Sequence, residues 1–218
     1  MSLNTFSLST LAPSPWKNGG GITYEIARSE CKQTDFDWRV SIAQISQSGA
    51  FSQFMGVDRT IILLDGAQVR LHSKPISGEH FLETTLQPLS PFAFAGEAQI
   101  DCEVLSNDTA NSQNSGDFNL SHDFNVMTRR GVCNADVQIT RAAATVASAQ
   151  AGLLFAAQGA WVLNENDTDL TLNAGEGVWW DKSGQDIGQD TGRASMQLKP
   201  LSTDSALSAL IIVRFSYL

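Results

Sequence analysis

Large apolar residues in this chain come in short runs, each closed by Gly, Pro, Asn, Asp or Ser, and this punctuation limits the fold more than any other feature. Such runs occupy 38–43, 59–64, 68–71, 92–94, 99–105, 137–141, 160–163, 177–180 and 209–215. In Trp38-Arg-Val-Ser-Ile-Ala43, large apolar residues alternate with polar or small ones, the pattern of a half-buried strand. The pattern predicts an all-β chain. One segment, the Ala-rich 142–151, favours helix by intrinsic propensity, but no cap or sustained 3.6-residue period carries it beyond about two turns.

An internal echo organises these runs. Ile61-Ile-Leu-Leu-Asp-Gly-Ala-Gln-Val69 aligns with Leu154-Phe-Ala-Ala-Gln-Gly-Ala-Trp-Val162, the shared Gly-Ala and Val in step. Leu86-Gln-Pro-Leu-Ser-Pro-Phe-Ala-Phe94 resembles Leu172-Asn-Ala-Gly-Glu-Gly-Val-Trp-Trp180, a turn leading into an aromatic strand. Two tandem β-units of similar plan follow, approximately 1–105 and 117–218. The polar stretch 106–116 contains no large apolar residue and is expected to be a surface loop between them.

With 218 residues, the chain is long enough for one large domain or two small packed ones. Its 14 Lys and Arg are outnumbered by 23 Asp and Glu, and no basic run gathers positive potential, so neither nucleic acid nor an anionic membrane is an expected partner. Cys31, Cys102 and Cys133 are odd in number and form no C-x-x-C pair, as expected of thiols in a reducing cytoplasm. No stretch resembles a signal peptide or membrane span; 142–160 comes nearest and is interrupted by Thr145, Ser148, Gln150 and Gln158. A cytoplasmic protein is the expectation.

Metal and nucleophile chemistry find little material. His72, His80 and His122 are widely separated, and none stands in H-x-H or H-E-x-x-H spacing, so no metal or other cofactor is expected. No G-x-S-x-G elbow occurs, and Ser121 and His122, as neighbours on a strand, would face opposite ways.

Three polar clusters stand out instead. After Asn18, Gly19 to Gly21 form a candidate anion nest, and Thr23 and Glu25 project together from the strand that follows. Arg39 and Ser41 share a face opposite Trp38, Val40 and Ile42, with Glu25 and Asp58 available to meet Arg39 and Arg59. Either these charges form structural pairs, or one arginine keeps its fork for a ligand carboxylate. In Asp123-Phe-Asn-Val-Met-Thr-Arg-Arg-Gly131, one face carries Asp123, Asn125, Met127 and Arg129, a mixture suited to a polar cavity. A partial copy, Asp117-Phe-Asn-Leu120, precedes it.

Five ordered motifs, Trp16-Lys-Asn-Gly-Gly-Gly-Ile-Thr-Tyr-Glu-Ile26, Asp37-Trp-Arg-Val-Ser-Ile-Ala43, Gly49-Ala-Phe-Ser52, Gly56-Val-Asp-Arg59 and Asp123-Phe-Asn-Val-Met-Thr-Arg-Arg130, together resemble the HutD/Ves family of bacterial cupin-like proteins. The resemblance implies two tandem cupin-like β-barrel or sandwich units in one chain, a bicupin without the cupin histidine metal motif. It also implies a regulatory part in histidine utilisation through urocanate, or a stress response in the Ves branch. The ligand-binding residues it implies are Trp16, Lys17, Asn18, Thr23, Glu25, Arg39, Ser41, Asp58, Arg59, Asn125, Met127 and Arg129.

The leading reading is a metal-free binder of a small carboxylate such as urocanate. One alternative is a metal-free cupin isomerase or lyase with Glu25 as general base, although nearby arginines oppose the raised pKa a base needs. Another gives Trp161, Trp179 and Trp180 to a homodimer face; ordinary core is the competing assignment for all three.

Overall fold

The computed structural model describes residues 2–29, 31, 35–73, 83–105, 120–147, 149–165, 168–182 and 195–218. Its strands are, in order, β1 (Asn4–Ser7), β2 (Pro13–Pro15), β3 (Gly21–Arg28), β4 (Trp38–Ile45), β5 (Gly49–Ala50) and β6 (Val57–Gly66). Next come β7 (Gln68–Ser73), β8 (Glu83–Thr85), β9 (Phe92–Ala95), β10 (Ile100–Leu105), β11 (Ser121–Arg129) and β12 (Cys133–Thr140). The chain finishes with β13 (Ala144–Ala147), β14 (Ala151–Gln158), β15 (Trp161–Glu165), β16 (Thr168–Leu172), β17 (Glu176–Asp181), β18 (Ser195–Pro200) and β19 (Ala209–Tyr217). Two short 3-10 turns, Leu8–Thr10 and Ser205–Leu207, are the helical elements among the described residues. None of those residues forms a helix long and apolar enough to cross a membrane.

The protein is therefore all-β. Contacts divide it into a middle unit, Ala12–Arg130, and a terminal unit made of Met1–Leu11 with Gly131–Leu218. In the middle unit, a sheet ordered β2-β3-β4-β11-β6-β9 accompanies one ordered β5-β10-β7-β8. In the terminal unit the orders are β1-β17-β14-β19-β12 and β13-β18-β15-β16. These plans correspond strand by strand. β6 lies between β11 and β9 as β14 lies between β19 and β17, while β7 and β10 pair as β15 and β18 do. The two echoed segments occupy matching positions, 61–69 running from β6 into β7 and 154–162 from β14 into β15.

Two expectations from the sequence differ from this arrangement. The Ala-rich 142–151 contributes β13 and the start of β14, because pairing with β18, β17 and β19 outweighs a propensity difference of a few tenths of a kcal/mol per residue. The halves 1–105 and 117–218 also divide the chain elsewhere. β1 pairs with β17 of the terminal unit, and β11 sits between β4 and β6 of the middle unit, choices of partner that alternation within a strand does not encode. The expected loop 106–116 lies outside the described residues.

Alternation then builds each interior. In the middle unit Ala43, Ile45, Ile61 and Leu63 from the larger sheet cluster with Val69, Leu71, Ile100 and Cys102 from the smaller one. On the opposite face of the larger sheet Trp38, Val40, Ile42, Phe124 and Val126 are buried as well. In the terminal unit Leu154, Ala156, Val178, Trp180, Leu210 and Ile212 meet Val146, Trp161, Leu163, Met196 and Leu198.

Candidate functional site

Strand register in the middle unit assembles the polar residues into rows. Arg39 on β4 stands opposite Met127 on β11, Met127 opposite Arg59 on β6, and Arg59 opposite Phe94 on β9. The neighbouring row runs Glu25, Ser41, Asn125, Ile61 and Phe92. Side chains two residues apart on a strand share a face, so both rows point the same way. Above them opens a cavity of about 470 Å³, a usual size for a small-molecule site.

Nine of the twelve residues inferred from sequence line this cup: Trp16, Lys17, Asn18, Thr23, Arg39, Ser41, Arg59, Asn125 and Met127. Phe51, Ser52 and Phe54, from the irregular segment after β5, complete its wall together with Pro15, Ala43, Ile45 and Ala50. Lys17 and Asn18 are exposed at the rim. Trp16 donates its indole N–H to Thr23 Oγ1 at 2.8 Å and meets Phe51 edge-on, which fixes the ring as part of the wall.

Arg59 is the centre of the site. Only 7% of it is exposed. Its Nη2 donates to Asn125 Oδ1 at 2.9 Å and its Nη1 to the Ser52 carbonyl at 3.3 Å, while Nε has no hydrogen-bond partner. The guanidinium carbon lies 4.9, 5.4 and 5.5 Å from the ring centroids of Phe94, Phe54 and Phe51, an aromatic cage that offsets part of its lost hydration. Among the described residues no carboxylate pairs with it. Burial, reinforced by the positive charge of Arg39, lowers its pKa to about 10, so it stays charged at neutral pH. A buried, charged group with N–H donors to spare can accept a carboxylate through charge-assisted hydrogen bonds.

Arg39 is treated differently. Its Nε donates to Glu25 Oε2 at 2.6 Å, and Glu25 Oε1 lies 3.5 Å from Arg28 Nε. Glu25 is thus committed to two arginines and does not line the cup.

Asp58 and Arg129, also expected in the site, fall elsewhere. Asp58 neighbours Arg59 on β6, so it points to the other side, where Arg130 grips it at 2.7 Å. Arg129 stacks over Phe36 at 5.7 Å and donates to the Met55 carbonyl, beyond the end of the cup. The glycine run is a turn rather than an anion nest. Gly19 adopts φ 72°, its N–H bonds to the Trp16 carbonyl, and the Gly20 N–H bonds to Asn18 Oδ1 at 3.1 Å. Gly21 permits close approach, because a Cβ there would stand 2.5 Å from the Gln44 carbonyl oxygen.

One buried group lies deeper on the same face of β11. Asp123 is fully buried, accepts from Ser121 Oγ at 3.3 Å through Oδ2, and has no partner for Oδ1. Burial pushes its carboxyl up to about 7. Its backbone carbonyl receives Asn125 Nδ2 at 3.2 Å, leaving Asn125 Oδ1 aimed at Arg59.

No histidine or carboxylate lines the cup, so the donor set does not fit a resident metal. Among the described residues no group of three or more His, Cys, Asp or Glu could hold an ion. His72 pairs with Glu103 and His122 with Asp65; His80 lies outside the described residues. Of Trp161, Trp179 and Trp180, offered as an association face, Trp161 and Trp180 are fully buried core and Trp179 is half-buried.

Comparison with known proteins places the chain at two depths, family and fold. The family model described as HutD matches residues 8–196. Protein Ves of Cronobacter sakazakii is 35% identical over 175 residues, covering 80% of this chain and 85% of that protein. The solved structure of HutD from Pseudomonas fluorescens superposes with a TM-score of 0.76 at 25% identity, covering 100% of both chains. At 6% identity, a cupin 2 conserved barrel domain protein from Leptotrichia buccalis superposes with a TM-score of 0.57, covering 98% of this chain and 96% of its own. That last likeness is one of fold, which is cupin-like.

Proposed function

The chain belongs to the HutD family of bacterial proteins, and from that premise we propose that its middle unit is a metal-free receptor for a small carboxylate, with urocanate the first candidate. The observation that carries this reading is Arg59: caged by three phenylalanines, lined up with a cavity, and lacking an acid among the described residues. Leaving a charge so buried costs stability unless a guest supplies the counter-charge. A carboxylate bound at the guanidinium edge gains charge-assisted hydrogen bonds, while Trp16, Phe51 and Phe54 cover its planar body and exclude water. In this reading each unit is cupin-like and the pair a bicupin in which the middle unit alone is equipped for binding. Its biological output is regulation linked to histidine utilisation, with the bound carboxylate as the signal. Proton abstraction by Glu25 has no support, since two arginines hold its carboxylate outside the cup.

Isothermal titration of urocanate and acetate into the wild-type protein and Arg59→Ala tests the reading. Loss of a buried charge pair costs about 2–5 kcal/mol, so affinity should fall at least roughly thirtyfold in a variant that still folds. Equal affinity in the two proteins contradicts the assignment.

A further inference from the structure

The two arginines of the cup are not equivalent. Arg59 and Arg39 stand in one cross-strand row with Met127 between them, so two strand spacings, about 10 Å, separate their backbones. Both line the same cavity. Arg59 has no acid among the described residues, whereas Arg39 is held by Glu25 from β3 at 2.6 Å. The Glu25–Arg39 pair presents the guest with a dipole in place of a second full positive charge.

Building on the anion-site reading above, we propose that Glu25 sets the charge the cup accepts: by occupying Arg39 it restricts the guest to one carboxylate, and its neutralisation opens the cup to dicarboxylates. A second guest carboxylate reaching toward Arg39 from inside the cup finds that charge already offset by Glu25 outside it, and the nearby negative charge disfavours the approach. With Gln at position 25, the Arg39 guanidinium regains an uncompensated charge, and a short dicarboxylate spanning the row engages both forks. Glu25 acts here as a specificity-determining residue through Arg39.

The test is titration of acetate, malonate and succinate into wild type, Glu25→Gln, and the double variant Glu25→Gln with Arg39→Gln, each checked for cooperative thermal unfolding. Wild type should prefer acetate or bind all three within a few fold. In Glu25→Gln the dicarboxylate-to-acetate affinity ratio should rise about tenfold or more, as expected for one added charged hydrogen bond. The double variant should return the ratio to the wild-type value, a reversal that general loosening of the site would not produce. Should Glu25→Gln fail to fold, Glu25→Asp, which shortens the reach to Arg39, should move the ratio the same way by a smaller factor. A ratio unchanged in the folded variant, or a wild-type protein that already favours dicarboxylates, overturns the charge filter while leaving acetate binding at Arg59 in place. If no carboxylate binds wild type, the underlying anion-site reading fails first.

Discussion

Arg59 and Gly152 occupy corresponding positions on the matched strands β6 and β14, and the contrast between them explains why the arginine-centred cup of the middle unit is not repeated at the matching place in the terminal unit. Across the sheet Arg59 faces Phe94, whereas Gly152 faces Trp180. A Cβ at Gly152 would stand 2.3 Å from the Trp180 ring, so the indole lies directly over the backbone that carries a guanidinium in the middle unit. The substitutions continue along the next strand. Asn125 and Asp123, opposite Ile61 and Leu63, correspond to Ile212 and Leu210, opposite Leu154 and Ala156. All four of those terminal-unit residues belong to its core. Where the middle unit sets Met127 beside Arg39, the terminal unit sets Arg214 beside Asp136, and those two form an ion pair. One strand plan supports two outcomes: apolar packing that fills the interior, or polar residues that leave it open and charged.

This contrast is sharpened by variants whose effects differ between units. The largest effect on stability should come from Trp180→Ala, which empties the filled interior and also removes the indole bond to the Ala149 carbonyl. Large-to-small changes of this kind cost about 3–5 kcal/mol, read as a lower urea midpoint.

Asp123→Asn comes next and shows as pH dependence. With a folded carboxyl near 7 and an unfolded one near the ordinary 3.9, the folded state binds more protons between those values. The contribution of Asp123 to stability should therefore fall as pH rises from about 4 to about 7, by an amount on the order of a few kcal/mol, and level off above. The Asn variant should lose most of this slope and be the more stable protein at pH 8. His122, whose pKa is raised chiefly by its hydrogen bond to Asp65, adds a smaller fall of the same sign as pH rises above its ordinary 6.5, and this persists, somewhat reduced by loss of the Asp123 charge, in the variant.

Asn125→Ala removes the acceptor that orients Arg59. Carboxylate affinity should drop about tenfold by titration, the worth of one charged hydrogen bond. The smallest stability change belongs to Arg59→Met. Replacing an unpaired buried charge by an apolar chain of similar length should leave the unfolding free energy within about 1 kcal/mol of the parent, or raise it, while binding is lost. A large destabilisation would instead make Arg59 a structural residue.

How much of this was legible beforehand depends on where each residue sits. On strands, period-two alternation puts Arg39 with Ser41 and Asn125 with Met127 on common faces, and the family resemblance implies the rest: Thr23, Arg39, Ser41, Arg59, Asn125 and Met127 come from four separate motifs and reach one cavity. The same rule argues against Asp58, since consecutive strand residues cannot both face the cup, and the family pattern overrode that signal. Arg129 obeys the alternation but lies beyond the cavity's end, a limit that periodicity does not mark. Glu25 precedes a bulge between Glu25 and Ala27, where the pairing shifts and its carboxylate turns to Arg39 and Arg28. Phe51 and Phe54 were missed as site residues because they stand in irregular backbone, although Gly49-Ala-Phe-Ser52 is one of the five motifs. The all-β class and the echo were plain in the apolar runs. The exchange of β1 to the terminal unit was not, because four residues of a strand edge carry no mark of their partner.

Arg59 is the proposed anion receptor of the molecule. Its Nε–H resonance in ¹⁵N-labelled protein, followed during titration with urocanate and with chloride as control, addresses this directly. A saturable urocanate-specific shift at Arg59, with the Trp180 indole N–H unchanged, is the expected result. An unmoved Arg59 signal at saturating urocanate, or a response centred on Trp180, would contradict it.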